Sequence, residues 1–386
     1  AGTAPAQQNQ EKKKVVKLMQ RQKKAQPKAQ QTFRTTAISD ITLPDMNELD
    51  VKDLAPVVEA APPSMSDAGM NNDAMKSALK GIGLSLPKTM QQRCDPKKRI
   101  ERLRSGGGKD ITETAIMKGL NWLKSVQDED GGWGKKDKDD TGKPVAGQKA
   151  SPIYRDAMTG MALLAYLGHC ELQDSPTFGP TVQKGIDFLT STPPDKPLGA
   201  GNYGSYSHPI RTYALCEAYT MTKIPKLKEY AKRASEVIIK GQNESGGWAY
   251  GYGKGPVAHT DLSVTGWNIQ ALKAAALTGI SIDGLDASMD KAAAYTKRCQ
   301  DKTGKFAYKE GSGGKPSLTG TGVLCLQIWK NANSKEAQLG LDWIIANQKK
   351  EWKAIDVYEW YYHAQACFQA TGVSGGSKYW RAWNKE

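Results

Sequence analysis

The stretch that decides the fold is KGLNWLKSVQDEDGGW at residues 118–133, because variants of it recur along the chain. Each variant has a helical pattern that ends in Gln and continues into a turn containing Gly and an aromatic residue. The other copies are IIKGQNESGGW (238–248), AAAYTKRCQDKTGKF (292–306) and LGLDWIIANQKKEW (339–352), and KGIDFLTSTPPDKPLGAGNYGSY (184–206) is a degenerate copy without the Gln. A unit that recurs about every fifty residues predicts a repeat protein.

A second kind of segment follows each turn and is apolar on nearly all sides. Its five copies are RDAMTGMALLAYLG (155–168), IRTYALCEAYT (210–220), DLSVTGWNIQALKAAALTG (261–279), SLTGTGVLCLQIW (317–329) and VYEWYYHAQACFQATG (357–372). A helix without a polar face must be buried, so these five segments are predicted to be inner helices. The segments that end in Gln carry a charged face and are predicted to be outer helices. The sequence therefore predicts an all-α fold of stacked helix pairs.

The Gln turns resemble the QW repeats of the prenyltransferase and squalene cyclase superfamily, and the resemblance covers residues 111–386. The residues that fit the pattern without a gap are Lys118, Gly119, Trp122, Leu123, Gln127, Gly132 and Trp133. This resemblance implies an α/α toroid whose inner helices surround an axial cavity. In such a turn, Gln is expected to bond backbone groups freed at the helix end, while the aromatic ring covers the junction to the next repeat.

The predicted ring is one helix pair short of what the family's toroids typically contain. Residues 378–386 resemble the first turns of a further outer helix. An open seam would expose apolar flanks of the first and last pairs, which soluble monomers rarely leave bare. We therefore expect residues beyond Glu386, a protein partner or the N-terminal segment to close the ring. Within that N-terminal segment, a short helix predicted at 72–80 is the candidate.

Residues 1–110 are predicted to form a low-complexity tether, followed by the toroid at 111–386. Residues 1–34 contain nine basic side chains and one acidic one, residues 35–87 are acidic and contain several prolines, and residues 88–109 are again basic. The chain as a whole has a net charge of +14. Because the basic runs coincide with few large apolar residues, they favour a tail that contacts an acidic surface, and a dedicated nucleic-acid-reading domain is not expected.

The sequence also predicts a cellular compartment and the state of the cysteines. No run of 18 apolar residues is present, so no bilayer-spanning helix is predicted within this sequence. The first residue is Ala1 rather than Met, and we expect an upstream segment such as a signal peptide or anchoring helix. The six cysteines lack metal-ligand spacing and are predicted to be free packing residues, without a disulfide framework. The expected location is extracytoplasmic, in a bacterial periplasm or cell envelope, with membrane tethering through a segment outside this chain.

One enzymatic branch of the family, the class II terpene cyclases, protonates an alkene with the middle acid of a DxDD motif. The sequence DKDD occurs at residues 137–140, but in a lysine-rich loop where exposed carboxylates stay ionised and make poor acids. We interpret it as a solvated charge run. The better positional counterpart is AHTD at 258–261, which has Thr260 in the middle position and retains only Asp261. The cyclase proton donor is therefore predicted to be absent.

The other branch, the protein prenyltransferases, holds zinc with Asp, Cys and His from separate inner helices. The stretch YYHAQACF at 361–368 resembles the segment that carries the zinc-binding His, which maps onto His363. The partner motif DxC is absent from the sequence. A single His among aromatic residues favours a hydrogen-bonded core position. We therefore predict no zinc and no other cofactor.

The N-terminal ends of parallel inner helices would converge on one mouth of the cavity and would suit an anion. Aligning the inner helices on their Thr-Gly positions predicts a ring of ligand-binding residues at similar depth. This ring consists of Arg155, His208, Asp261, Ser317 and Glu359, with Tyr154, His259 and Tyr358 beside it and His363 as a further candidate. It suits a peptide end, a sugar or a phosphate, and an isoprenoid-like ligand is a further possibility. The alternative is that these residues are helix caps and mutual salt bridges.

The sequence favours a noncatalytic binding or scaffold toroid on a flexible tether. One alternative is an isoprenoid-processing enzyme of the cyclase or transferase type. A second is an RNA- or anionic-lipid-binding protein that uses the basic N-terminal tail. The absent proton donor and the incomplete ligand set place the enzyme second.

Overall fold

The computed structural model describes residue 90 and the ranges 93–134, 154–195, 204–254, 259–372 and 375–385. The predicted tether up to residue 89, the helix predicted at 72–80 and the acidic run at 137–140 lie outside these ranges. Within them the chain is all-α, with no strand. None of the helices described is long and apolar enough to cross a bilayer. The α helices with bounds inside these ranges are α1 Pro96–Ser105, α2 Asp110–Ser125, α3 Arg155–Gly168, α4 Gly179–Thr190, α5 Gly204–Thr222, α6 Pro225–Gly241, α7 Leu262–Leu277, α8 Leu285–Arg298, α9 Pro316–Ile328, α10 Lys335–Ala346, α11 Val357–Gln369 and α12 Ser377–Trp383.

From α2 onward, outer and inner helices alternate along the chain. The five inner helices are α3, α5, α7, α9 and α11, and each packs against the next. Almost every residue of α7 is buried, whereas α6 buries one face and presents its charged side chains to solvent. The predicted α/α toroid architecture with five inner helices is confirmed.

The inner helices converge on a common axis. Each contributes one residue to a single apolar cluster, which consists of Ala157, Ile210, Trp267, Leu324 and Tyr362. At this level the axis is occupied by packed side chains. A cavity for a ligand must therefore lie nearer to an end of the inner helices.

Contacts that recur from repeat to repeat explain why Thr-Gly occurs in the inner helices. The Oγ1 of Thr265 accepts the backbone N–H of Trp248 at 3.0 Å, and the same bond recurs in the first repeat. The next residue, Gly266, lies so close to α9 that a Cβ atom would be 2.6 Å from Cγ2 of Thr321. Thr thus fixes the turn to the inner helix, and Gly permits close packing of consecutive inner helices.

The Gln turns join successive outer helices. Nε2 of Gln242 donates to the carbonyl oxygen of Gly246 in its own turn and to that of Ser288 in α8, both at 2.8 Å. Gln127 and Gln300 make the same pair of bonds in their repeats. Gln therefore bonds backbone carbonyl groups as predicted, but these lie in the turn and in the next outer helix rather than at the end of its own helix.

Helix α1 lies in the segment that the sequence assigned to the tether, and it contacts both the first and the last helix pairs. Nε1 of Trp380 in α12 donates to the carbonyl oxygen of Gly106 at 2.7 Å. At the other side, Nη2 of Arg99 donates to Oε1 of Glu113 in α2 at 3.3 Å. Helix α1 and its C-cap thus contact both ends of the described repeats, and the source of ring closure stays a prediction.

A disulfide attaches α1 to the repeats. Cys94 is bonded to Cys170, which follows α3, and their Cα atoms are 5.1 Å apart. The prediction that the cysteines form no disulfide is therefore wrong for this pair. The reason is that the docking of α1 brings together two positions separated by 76 residues, which no spacing motif could reveal. The remaining four are buried and free, as predicted, at Cys216, Cys299, Cys325 and Cys367.

A charged network reinforces this attachment. The two ring nitrogens of His169 lie 2.9 Å from carboxylate oxygens of Glu113 and Glu171. Burial alone would lower the pKa of His169, but the hydrogen bonds with Glu171 and Glu113 outweigh it and raise that pKa. Because Arg99 also bonds Glu113, an imidazolium between two carboxylates links the end of α3 to α2 and α1.

Candidate binding site at the mouth of the inner helices

A chain of hydroxyl groups lies at the N-terminal ends of α5 and α7. The phenol oxygen of Tyr250 is 2.9 Å from that of Tyr206, which is 2.7 Å from Oγ of Ser263. Oγ of Ser263 donates to Oδ1 of Asp261 at 2.5 Å. Since a carboxylate only accepts, the hydroxyl protons along this chain point toward Asp261. Tyr250 also interacts directly with Ser263 and Asp261, so the three hydroxyl groups cluster around this carboxylate.

Asp261 owes its position to helix capping. It is the N-cap of α7, where Oδ1 accepts the backbone N–H of Ser263 at 2.7 Å, and only 4% of the residue is exposed. Its own N–H donates to the carbonyl oxygen of Trp248 at 3.0 Å, which ties the cap to the preceding Gln turn. Within the described ranges Asp261 forms no ion pair. The carboxylate is therefore rigidly placed and electrostatically uncompensated by a side chain.

Two further tyrosines lie beside Asp261. The backbone N–H of Leu262 donates to the carbonyl oxygen of Tyr308 at 2.7 Å, which places Tyr308 at the start of α7. Tyr308 is 42% exposed and Tyr358, in the first turn of α11, is 38% exposed. Burial raises the pKa of both phenols, and the proximity of Asp261 raises it further. The exposed rings of Tyr308 and Tyr358 thus lie near the hydroxyl chain of Tyr206 and Tyr250, and we call these four residues the tyrosine mouth.

The start of α11 supplies two carboxylates with different roles. Asp356 is the N-cap and accepts the backbone N–H groups of Tyr358 at 2.9 Å and Glu359 at 3.2 Å. Glu359 is buried, and its Oε2 lies 3.1 Å from Nζ of Lys349. The predicted candidate Glu359 is thus neutralised within the protein, whereas Asp356 has no ion-pair partner in the part of the chain described.

Arg155 is also compensated internally. Its guanidinium lies 2.7 Å from a carboxylate oxygen of Asp130 and 3.2 Å from one of Asp128, and it stacks over the ring of Phe188 at 4.6 Å. These contacts fix the start of α3 to the turn that follows α2. For Arg155 they favour the salt-bridge alternative over a ligand contact.

His208 faces away from the mouth. It is 1% exposed, and its Nε2 donates to the carbonyl oxygen of Ala234, in outer helix α6, at 3.0 Å. Burial lowers its pKa to about 4, so the ring is neutral. Of the other predicted members, His259 is exposed just before α7, and Ser317 is half-buried in the first turn of α9. The predicted ring therefore divides into mouth residues and structural residues.

His363 has the environment of a core histidine. Its Nε2 donates to the carbonyl oxygen of Pro316 at 3.1 Å, and its Nδ1 is 3.9 Å from Oε1 of Glu359. Burial lowers its pKa to about 4. Within the described residues, no three potential ligands of the types His, Cys, Asp and Glu lie together. The absence of zinc stays a prediction.

The alignment of inner helices missed most of the mouth, because its residues lie in turns, in caps and in the first turns of helices, away from the aligned Thr-Gly positions. The missed residues are Tyr206, Tyr250, Ser263, Tyr308 and Asp356. A signal was nevertheless present, since Tyr follows the turn aromatic by two positions in both Trp-Ala-Tyr (248–250) and Phe-Ala-Tyr (306–308). Reading the turns in repeat phase would have identified Tyr250 and Tyr308.

A separate cleft of about 620 Å³ lies at the C-terminal ends of α9 and α11. Its lining includes Lys297, Lys330 and Asn331. Lys330 is already paired there with Asp286 and Asp290, each at 3.7 Å. None of the mouth residues borders this cleft, and we do not assign the binding site to it.

Comparison with known proteins agrees with this architecture. Residues 99–209 match the squalene-hopene cyclase C-terminal domain family. A solved structure of a polysaccharide lyase is similar to the chain with 14% identity and a TM-score of 0.44, over 61% of this chain and 72% of the other. No curated protein matches the chain significantly. This family match and the paired-helix repeats support the resemblance to the prenyltransferase and squalene cyclase repeat superfamily.

Proposed function

We propose that this protein is a noncatalytic binding toroid that holds its ligand at the tyrosine mouth. The observation that carries the proposal is the pair of exposed rings, Tyr308 and Tyr358, beside a hydroxyl chain anchored on buried Asp261. Tyrosine combines a large apolar ring with a hydrogen-bonding group and loses little conformational entropy on binding. Such a surface suits a peptide or a glycan, which both present apolar faces and polar edges.

The internal bonding of the candidate catalytic residues supports a noncatalytic role. Thr260 stands where the cyclases place their proton donor, and a Thr hydroxyl is far too weak an acid to protonate an alkene. Asp261 caps a helix, and His363 donates to a backbone carbonyl group. Asp261 and His363, which the sequence matched to the two enzymatic branches, therefore each have a structural role.

The proposed location is outside the cytoplasm. The bond between Cys94 and Cys170 supports it, because disulfides persist mainly in oxidising compartments. In this setting the N-terminal segment would act as a tether, and the toroid would present its mouth to a ligand or partner.

The test is to remove the exposed rings and measure binding against panels of peptides and glycans. Tyr308→Ala and Tyr358→Ala should each weaken binding of an identified ligand by at least about tenfold, as expected for a central aromatic contact. Trp122→Ala is the matched control, because Trp122 is similarly exposed, at 41%, but lies on outer helix α2. Equal effects of all three substitutions would contradict the assignment of the mouth. Turnover of an isoprenoid substrate by the wild-type protein would contradict the noncatalytic role.

A further inference from the structure

The tyrosine mouth carries an excess of negative charge in an otherwise basic protein. The chain has 54 Lys and Arg against 40 Asp and Glu. Even so, neither Asp261 nor Asp356 lies within ion-pair distance of a basic group in the described ranges. The residues at 255–258, which precede this segment and lie outside those ranges, are Gly, Pro, Val and Ala and add no charge.

The helix dipoles do not cancel these carboxylates. Each helix N-terminus is equivalent to about half a positive charge, so a capping carboxylate leaves about half a negative charge at the ends of α7 and α11. The basic residues closest in sequence to Tyr308 are Lys305 and Lys309, and neither makes an ion pair with Asp261 or Asp356. Glu310 in the same turn is paired with Arg298 at 2.8 Å. This sector of the mouth therefore repels anions, contrary to the expectation from helix dipoles alone.

The aromatic groups also favour a positively charged ligand. Tyr308 and Tyr358 offer exposed rings, and the faces of aromatic rings attract cations. Carboxylates and exposed aromatic rings thus lie in one sector.

We propose that the tyrosine mouth binds an alkylammonium group in the sector between α7 and α11. The inference rests on the proposed binding function and narrows its ligand class. The cation can belong to a lysine side chain of a peptide or to a free amine, since both present the same charge to the rings. A phosphate would be repelled by the unpaired carboxylates, and a neutral sugar would gain no charge interaction with them.

The experiment titrates the full chain with paired probes by isothermal calorimetry and ligand-observed NMR. The cationic probes are tetramethylammonium and N-acetyl-lysine methylamide, and their neutral counterparts of similar shape are neopentyl alcohol and N-acetyl-norleucine methylamide. We expect each cation to bind at least about tenfold more tightly than its neutral counterpart, which corresponds to about 1.4 kcal/mol. A preference for one of the two cations would separate a peptide source from a free amine. Inorganic phosphate should not compete.

Substitutions then identify the residues that are responsible for binding the cationic probes. Asp261→Asn should weaken binding of the cations about tenfold while leaving the helix capped, since Asn is as good an N-cap as Asp. Asp95→Asn is the matched control, because Asp95 caps α1 and should leave binding unchanged. Tyr358→Phe should retain binding because it keeps the ring, and Tyr358→Ala should lose it.

Three results would overturn the inference, namely equal binding of cationic and neutral probes, tighter binding of phosphate, or no binding of any probe. If neutral probes bind equally and Tyr358→Ala still abolishes binding, the cation preference fails while the binding function of the mouth stands. If Tyr358→Ala has no effect on any ligand, both proposals fail.

Discussion

Replacing Gln242 by Met should destabilise the repeat domain by about 2–4 kcal/mol. Met has a similar length and volume but cannot donate, so the substitution removes both 2.8 Å bonds, to Gly246 and Ser288. Each bond contributes about 1 kcal/mol net, and leaving the two carbonyl groups short of a donor adds to the loss. For a domain of this size the melting temperature should fall by about 5–10 °C.

The assay is urea unfolding followed by circular dichroism, with the other turns as a graded series. Gln348→Met should cost about half as much, because Gln348 makes one such bond, to the carbonyl oxygen of Trp383 at 3.0 Å. Gln183→Met is the control, since Gln183 is exposed on α4 and bonds only the side chain of Asp187. If Gln242→Met costs no more than the control, the Gln turns do not stabilise the array and the explanation of the repeat is wrong.

Three further changes test the seam and the inner helices. Replacing Cys94 and Cys170 together by Ser should lower the unfolding free energy by about 4 kcal/mol in denaturant titration, and an undiminished value would mean that the bond is not formed. Because the folded-state pKa of His169 is raised, its contribution is complete below the ordinary pKa of about 6.5 and is lost as pH rises through the raised value. His169→Gln should remove this fall in stability from a pH series, and an unchanged pH profile would exclude the proposed network. Thr265→Val leaves the buried N–H of Trp248 unbonded and should cost about 1–3 kcal/mol in thermal unfolding, whereas a neutral effect would show that the turn needs no such bond.

Much of the architecture could be predicted because its cause is local. The inner helix predicted at 155–168 has the same bounds as α3, since its apolar residues continue around the whole helix. The start of α5 was predicted at residue 210, but the helix begins at Gly204 and contains Pro209. A proline near a helix start removes a single backbone bond, and burial of nearly the whole helix compensates for it.

The seam and the site could not be predicted in the same way, because they depend on contacts between residues that are far apart in the sequence. Helix α1 is strongly basic and buries no residue completely, so no hydrophobic pattern marks it. It is held by the bond to Cys170 and by contacts with α2 and α12. The mouth and its neighbours combine two turns between helices, two N-caps and the first turns of three inner helices. Only the assembled repeats bring Asp261 beside Tyr206 and Tyr308.

The most direct test of noncatalytic binding at the tyrosine mouth is one titration followed by analysis of the ligand. Calorimetry with an identified binder should give one site per chain, and mass spectrometry after prolonged incubation should recover the ligand unchanged. The double substitution Tyr308→Ala and Tyr358→Ala should abolish the binding heat. Conversion of the ligand to a product, or full binding by the double variant, would contradict the account.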